Sequence, residues 1–207
     1  MKNPTISSLF QGIGKTKQIV TTSTFLDTLS DEHLIKKVQE GDHSRMGLLY
    51  ERYHKDLYAY FYRCTSDASK SEDLVHTVFF KILKNCHQFA GKSKFVYWLF
   101  TIARNVQIND FRKKDPLRQS YEIKEMDSMK YAVHSPSESL EKSEQKQLLE
   151  RALNQLSPEK KEAIILSRFQ GMKYREIAEI AGCKESAVKS RIQRGLLEMR
   201  TIMEAWQ

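Results

Sequence analysis

The chain has little cysteine and no long apolar run. Its three cysteines, Cys64, Cys86 and Cys183, are odd in number and far apart, which argues against a disulfide framework. Their spacing from nearby histidines matches no zinc motif, so we expect no metal and no cofactor. No segment approaches the roughly 20 apolar residues of a membrane-spanning helix, and residues 1–30 lack the apolar core of a signal peptide. We therefore expect a cytoplasmic protein without membrane insertion.

The sequence also lacks a complete phosphate-binding loop. The segment GIGKT at Gly12–Thr16 ends like one, but Leu9 stands where the pattern needs a glycine, and no apolar strand precedes it. A nucleotide-hydrolysing enzyme is therefore not expected. Residues 1–29, which are rich in Ser, Thr and Lys, are predicted to form a flexible tail.

Acidic residues are missing from one long basic and aromatic segment. The whole chain carries a net charge of +8, with a pI of about 9.3, which favours a polyanionic partner. From Leu74 to Asn109 there is no acid, and lysine and arginine alternate with phenylalanine, tyrosine and tryptophan. Cations neutralise phosphates, and aromatic rings can stack on unpaired bases. Most of these rings also suit a helical core, but Phe89 lies in a predicted loop, Gln88–Lys94, where it has less core to join.

Apolar residues recur at helical spacing along most of the chain. Residues 30–114 predict four helices, the first beginning at a Ser30–Asp31 cap, the third running from Glu72 to about Asn85, and the last from Phe95 to about Lys113. Gly41–Asp42 and Thr65–Ser71 are predicted as turns. Residues 115–138 contain two prolines and little periodicity, which predicts a flexible linker. A second domain, residues 139–207, follows, with a helix start at Ser157, Pro158 and Glu159.

The most distinctive pattern is a pair of short helices around Gly182. Ile177 and Ala178 belong to the apolar face of the first helix, and Val188 and Ile192 begin an apolar stripe on the second. The other face of the second helix carries side chains able to hydrogen-bond phosphates or base edges: Ser186, Lys189, Ser190, Gln193 and Arg194. This pattern is typical of a helix-turn-helix, whose second helix enters the major groove. A helical hairpin with a solvated basic face is the alternative.

Three segments together resemble bacterial extracytoplasmic-function sigma factors. They are SEDLVHTVFFKILKN at 71–85, YWLFTIARNVQINDFRKK at 97–114, and LSPEKKEAIILSRFQGMKYREIAEIAGCKESAVKSRIQRGL at 156–196. The resemblance implies an all-α fold of two small helical domains joined by a flexible linker, the C-terminal one a helix-turn-helix. It implies a non-enzymatic subunit that binds core RNA polymerase and directs promoter recognition, DNA melting and transcription initiation. A stand-alone helix-turn-helix regulator that binds an operator as a dimer is the alternative, but such a regulator needs no acid-free aromatic block.

The resemblance also implies roles for individual residues. The exposed set on the second helix of the helix-turn-helix would read the −35 element, and the first domain would read the −10 element. Phe89 and Asn105 fall where the family forms a pocket for a flipped-out base, which needs stacking and edge contacts. The −10 contacts expected in full are Phe89, Lys92, Lys94, Arg104, Asn105, Arg112 and Lys113.

The partners that the resemblance implies are core RNA polymerase (its β′ clamp helices and β flap), promoter DNA and an anti-sigma factor. The residues expected to bind polymerase are Asp73, Leu74, His76, Thr77 and Phe80. The family commonly has Gln-Glu where His76 and Thr77 stand, so one possible charged contact with polymerase is absent here.

Overall fold

The structure is a computed structural model that describes residues 29–114 and 140–206, with side chains for residues 29–112 and 147–206. The chain divides into two compact units, and every regular element in the described residues is helical, so the all-α prediction is confirmed. The predicted N-terminal tail and interdomain linker lie outside the described residues. None of the helices described is long and apolar enough to cross a membrane.

Within residues 29–114, the first unit has four α-helices and one short 3₁₀ helix before the last of them. The helices are α1 (Asp31–Gln39), α2 (Arg45–Thr65), α3 (Ala68–Asn85) and α4 (Phe95–Lys114), and the 3₁₀ helix is Cys86–Gln88. Helix α3 packs between α2 and α4, and α1 lies against α2, α4 and the 3₁₀ helix. The predicted cap of α1 is confirmed, since the Ser30 hydroxyl accepts from the His33 amide at 3.2 Å.

The connection between α2 and α3 is shorter than the sequence pattern predicts. Ser66 takes a left-handed conformation, with φ 56°, and Asp67 caps α3 by accepting from the Lys70 amide at 3.0 Å. Thr65 and Ser71 are buried and hydrogen-bonded to each other at 3.2 Å. The predicted turn Thr65–Ser71 is therefore wrong at both ends, because local side-chain bonds satisfy these polar residues inside helices.

Aromatic rings fill the centre of the first unit. Four of these rings are fully buried: Tyr60, Phe61, Phe95 and Phe100. The Tyr60 and Phe100 rings pack edge to face, with their centroids 5.6 Å apart. The Tyr60 hydroxyl donates to the Gln107 side chain at 2.6 Å, which satisfies the one polar atom this ring brings into the core.

Within residues 140–206, the second unit has four α-helices. They are α5 (Leu140–Asn154), α6 (Pro158–Ile164), α7 (Tyr174–Ala181) and α8 (Glu185–Glu204), with one wide π turn, Ile165–Phe169, after α6. Pro158 begins α6 as predicted, but the side chain of Ser157 makes no capping bond, and only its carbonyl accepts from Lys161. Helix α8 is the centre of this unit, because α5 and α6 both pack on it.

Helices α6 and α8 approach closely at Gly195. A Cβ at this position would lie 2.8 Å from the Ile164 Cδ1 atom and 3.3 Å from the Lys160 Cβ atom. Beside the contact, Lys160 pairs with Glu198 at 2.6 Å. Glycine in the middle of a helix costs roughly 1 kcal/mol relative to alanine, and here its missing side chain is what lets the two helices meet.

Candidate functional site

The glycine turn and the second helix of the helix-turn-helix form as predicted. Gly182 has φ +63°, the left-handed conformation that glycine adopts at no steric cost. The turn is closed by the Cys183 amide, which donates to the Ala178 carbonyl at 3.0 Å. Val188, Ile192 and Met199 are buried, so one stripe of α8 faces the core.

The opposite face of α8 is open to solvent. Among the five residues predicted to read DNA there, Ser190 is half-buried and the other four are exposed: Ser186, Lys189, Gln193 and Arg194. The structure gives none of these five a side-chain partner among the described residues. Their donors are therefore available to a ligand, and both cations lie in the N-terminal half of the helix, the part that meets base edges in this motif.

Leu197 continues this face and was missed by the sequence patterns. It is 66% exposed, although its size and apolarity favour burial. It lies three residues beyond Arg194, close to one helical turn away, and the helical spacing of the exposed set could have indicated it.

A second exposed stripe runs along α3. Asp73, His76, Thr77 and Phe80 are all exposed and recur at helical spacing. Phe80 is 66% exposed, and Leu83, at 38%, extends the stripe by one turn. The stripe therefore places an aromatic ring and an apolar side chain at the surface, and aromatic residues are enriched in protein–protein interfaces.

Leu74 does not belong to this stripe. Its side chain is 6% exposed and is part of the core with Val75 and Val78. The structure does not support the predicted contact of Leu74 with polymerase, because its position on α3 turns the side chain toward the interior. Its spacing to Val78 places both on one face of the helix, so the signal was present in the sequence.

The segment before α4 differs from its prediction in one respect. Phe89 is 8% exposed. Its ring packs edge to face on Phe95, with the ring centroids 5.9 Å apart, and contacts Trp98, with the centroids 5.3 Å apart. The expectation that Phe89 has little core to join is wrong, since the first turn of α4 supplies that core. In this arrangement the Phe89 ring does not face solvent, where a base would stack.

The other side chains predicted to contact the −10 element are largely accessible. Lys92, Lys94, Asn105 and Arg112 are exposed, and Arg104 is half-buried. The side chain of Lys113 lies outside the described residues. Trp98, half-buried, lies seven residues before Asn105, and Arg112 lies seven after, so all three share one face of α4.

Helix α1 makes three side-chain contacts at the two ends of the loop Ala90–Lys94. The Gln39 amide donates to the Cys86 carbonyl at 2.8 Å and to the Phe89 carbonyl at 2.9 Å. The Glu32 carboxylate accepts from the Phe95 amide at 3.1 Å. No sequence pattern indicated these contacts.

Helix α1 is itself held to α2 by Asp31. This carboxylate accepts from the Arg52 guanidinium at 2.6 Å and from the Tyr53 hydroxyl. Burial of the Tyr53 ring, followed by its hydrogen bond to Asp31, raises the pKa of the Tyr53 hydroxyl. Tyr53 therefore remains a neutral donor to Asp31.

The described residues hold no group of three or more His, Cys, Asp or Glu side chains placed to bind a metal ion. Cys64, Cys86 and Cys183 are free thiols.

Both units match known families. Residues 49–116 match Sigma-70 region 2, and residues 146–199 match Sigma-70, region 4. The chain is 34% identical over 161 residues to the ECF RNA polymerase sigma factor SigX of Bacillus subtilis (strain 168), covering 76% of this chain and 82% of SigX. It is 31% identical over 156 residues to the RNA polymerase sigma factor YlaC of the same organism, covering 75% and 90%.

Solved structures agree with this relationship. The sigma factor RpoE of Bartonella quintana, co-crystallised with the anti-sigma factor NepR, superposes with a TM-score of 0.59 at 28% identity, covering 76% of this chain and 96% of that one. CnrH, in complex with the cytosolic domain of CnrY, shares the fold, with a TM-score of 0.64 at 20% identity over 84% of this chain and 97% of that one.

A chain that is helical in its described elements and carries Sigma-70 region 2 followed by region 4 has the domain organisation of an RNA polymerase sigma factor. Within that class, the chain belongs to the extracytoplasmic-function (ECF) sigma factor family. It directs RNA polymerase in transcription initiation, and the alternative of a stand-alone regulator is not favoured, because region 2 is present.

Proposed function

We propose that the two units divide promoter recognition between them, with α8 reading the −35 element and the loop and face of α4 reading the −10 element. The observation that carries this proposal is a set of solvent-facing side chains on α8 without a side-chain partner among the described residues, on a helix whose other face is buried: Ser186, Lys189, Ser190, Gln193 and Arg194. The protein supplies no catalysis, acts in the cytoplasm, and leaves the chemistry to polymerase.

The stripe on α3 is the proposed contact with the β′ clamp helices of core polymerase. Phe80 and Leu83 offer apolar area, flanked by Asp73, His76 and Thr77. The second unit is the proposed contact with the β flap. An anti-sigma factor is a further proposed partner, since the similar sigma factor RpoE was co-crystallised with the anti-sigma factor NepR.

The −10 pocket is proposed to use Asn105 for base edges and Lys92 and Lys94 for phosphates, all three being exposed. Because Phe89 is packed on Phe95 and Trp98, its proposed role is to support the loop conformation by packing against α4. Extruding a base costs a few kcal/mol, and contacts between the pocket and the base have to offset this cost. Arg104, Arg112 and Lys113 would add cationic contacts along α4.

Replacing Phe80 tests the polymerase surface. Phe80→Ala is expected to weaken binding to core polymerase by about 2 kcal/mol or more, the cost typical of a central interface aromatic. Stability should be nearly unchanged, because a residue exposed to 66% contributes little to the core. The measurement is competition with a labelled sigma factor for core enzyme, alongside thermal unfolding.

Phe80→Leu should lie between wild type and Phe80→Ala, since it keeps part of the apolar area. Glu51→Ala, an exposed substitution on α2, serves as the control and should bind core enzyme normally. Wild-type affinity in Phe80→Ala would show that polymerase docks elsewhere.

Replacing Arg194 tests the −35 surface. A bidentate contact to a base predicts that Arg194→Ala loses about 1–3 kcal/mol of discrimination at one position. A phosphate contact predicts weaker binding to all sequences. It also predicts that the slope of the logarithm of the binding constant against the logarithm of the salt concentration falls in magnitude by about one. Transcription from a set of −35 variants by the holoenzyme separates these two results.

Arg200→Ala is the matched control, because Arg200 lies on the same helix, is exposed, and pairs with Glu204 at 2.7 Å. It lies six residues beyond Arg194 and so on another face of α8. If both variants transcribe the set like wild type, the DNA-reading face of α8 has been assigned wrongly.

A further inference from the structure

Helix α1 fixes both ends of the loop Ala90–Lys94, although it lies far away in the sequence. Gln39 bonds to two carbonyls that are 47 and 50 residues further along the chain. Glu32 bonds to an amide 63 residues further along. One helix of two and a half turns thus holds the residue before the loop, Phe89, and the residue after it, Phe95.

The residue directly before α4 cannot bind the Phe95 amide, and no carboxylate near it in the sequence can do so. The amide of Phe95 is one of the unsatisfied donors at the start of α4, and the residue before it, Lys94, has a side chain that only donates. Since no acid occurs between Leu74 and Asn109, no carboxylate nearby in the sequence can accept from that amide. Glu32 supplies the acceptor, and its negative charge also suits the positive end of the α4 dipole.

Between its anchors the loop has little to pack against. Gly91 has φ +69°, and a Cβ built on it meets no atom within 4 Å. Lys92, Ser93 and Lys94 are exposed. The conformation of the loop therefore depends on how its ends are held.

The hydrogen bonds of Gln39 and Glu32 are not what attaches α1 to the first unit. Leu34, Ile35 and Val38 are buried to 1% exposure or less, and Asp31 ties the helix to Arg52 and Tyr53. Gln39 and Glu32 are exposed side chains. Their removal leaves this attachment and the core in place.

We propose that Gln39 and Glu32 are positioning residues for −10 recognition: they set the geometry of the loop Ala90–Lys94 without contacting DNA. This inference rests on the proposed function of that loop. Its consequence is a loss of base discrimination, because a loop held loosely accepts wrong bases more readily.

The test uses the full chain with core polymerase and promoters altered at single −10 positions. Gln39→Leu removes both donors at similar volume, and is expected to reduce −10 discrimination roughly tenfold, which corresponds to 1.4 kcal/mol. Affinity for core polymerase and the unfolding temperature should stay near wild type. Gln155→Leu, the same change at an exposed site in the second unit, is the control and should discriminate normally.

Glu32 gives an independent second test. Glu32→Ala removes the acceptor and should also reduce discrimination, whereas Glu32→Gln keeps an oxygen acceptor and should restore most of it. A merely structural role predicts instead equal losses on all promoters with a lower unfolding temperature. That result, or wild-type discrimination in both Gln39→Leu and Glu32→Ala, would overturn the inference.

Asn105→Ala and the double variant Lys92→Ala, Lys94→Ala distinguish this inference from the proposed function. If neither changes −10 discrimination, the loop does not read this element, and both the proposed function and the positioning role fail. If they do change it while Gln39→Leu does not, only the positioning role fails. Reduced discrimination in all of them supports both.

Discussion

Phe89→Ala is expected to lower the free energy of unfolding of the first unit by about 3–5 kcal/mol, the usual cost of removing a buried phenylalanine ring. Phe89 is 8% exposed and contacts Phe95 and Trp98, so its loss leaves a cavity beneath the loop. Small domains have only about 5–15 kcal/mol of stability. Chemical denaturation of the full chain, following the transition of the first unit, measures the effect.

Phe80→Ala is the matched control for this experiment. It is the same chemical change at a site that is 66% exposed, and should alter stability by no more than about 0.5 kcal/mol. Phe89→Leu, which keeps most of the apolar volume, should fall between the two. A Phe89→Ala protein as stable as wild type would show that the ring is not part of the core.

Gly195→Val is expected to lower the stability of the second unit by about 3 kcal/mol, the upper end of the usual cost of overpacking. The first added atom would lie 2.8 Å from the Ile164 Cδ1 atom, and a branched side chain adds two more. Gly195→Ala should also destabilise the second unit, but by less, because the higher helix propensity of alanine offsets about 1 kcal/mol of the steric cost. The unfolding transition of the second unit gives both values.

Removing the opposing atom should rescue the alanine variant. Ile164→Val lacks the Cδ1 atom and costs about 0.5–1.5 kcal/mol alone, yet combined with Gly195→Ala it should be neutral or stabilising. Gly47→Ala is the control, because Gly47 lies in α2 with no atom within 4 Å of its Cβ position, and there alanine should stabilise. Additive effects of Ile164→Val and Gly195→Ala would contradict the proposed clash.

The features that the sequence predicts correctly are those with a local signal. Ser30 and Gly182 act within a few residues of themselves, as a cap and as a turn. The helix-turn-helix follows from spacing alone, since the buried and exposed faces of α8 each repeat at helical intervals.

Features that depend on contacts between distant segments were not predictable in this way. Nothing around Gln39 indicates that its amide meets carbonyls 47 and 50 residues away, and nothing around Gly195 indicates that Ile164 lies against it. Leu74 and Asp67 are different, because helical spacing and capping chemistry were there to be used. Leu74 was assigned from the family resemblance, although its helical spacing indicated a buried position. Asp67 was included in a predicted turn because the segment around it is polar, although aspartate is a common helix cap.

The two-residue connection at Ser66 and Asp67 has a consequence for the order of folding. Contacts between α2 and α3 close a very short loop, and such local contacts form quickly because little chain entropy is lost. The bonds from α1 to the ends of the loop Ala90–Lys94 join residues 47 to 63 positions apart. During synthesis the α2–α3 hairpin can therefore form while α4 is still being made, and the loop acquires its final geometry only after α4 has emerged and docked.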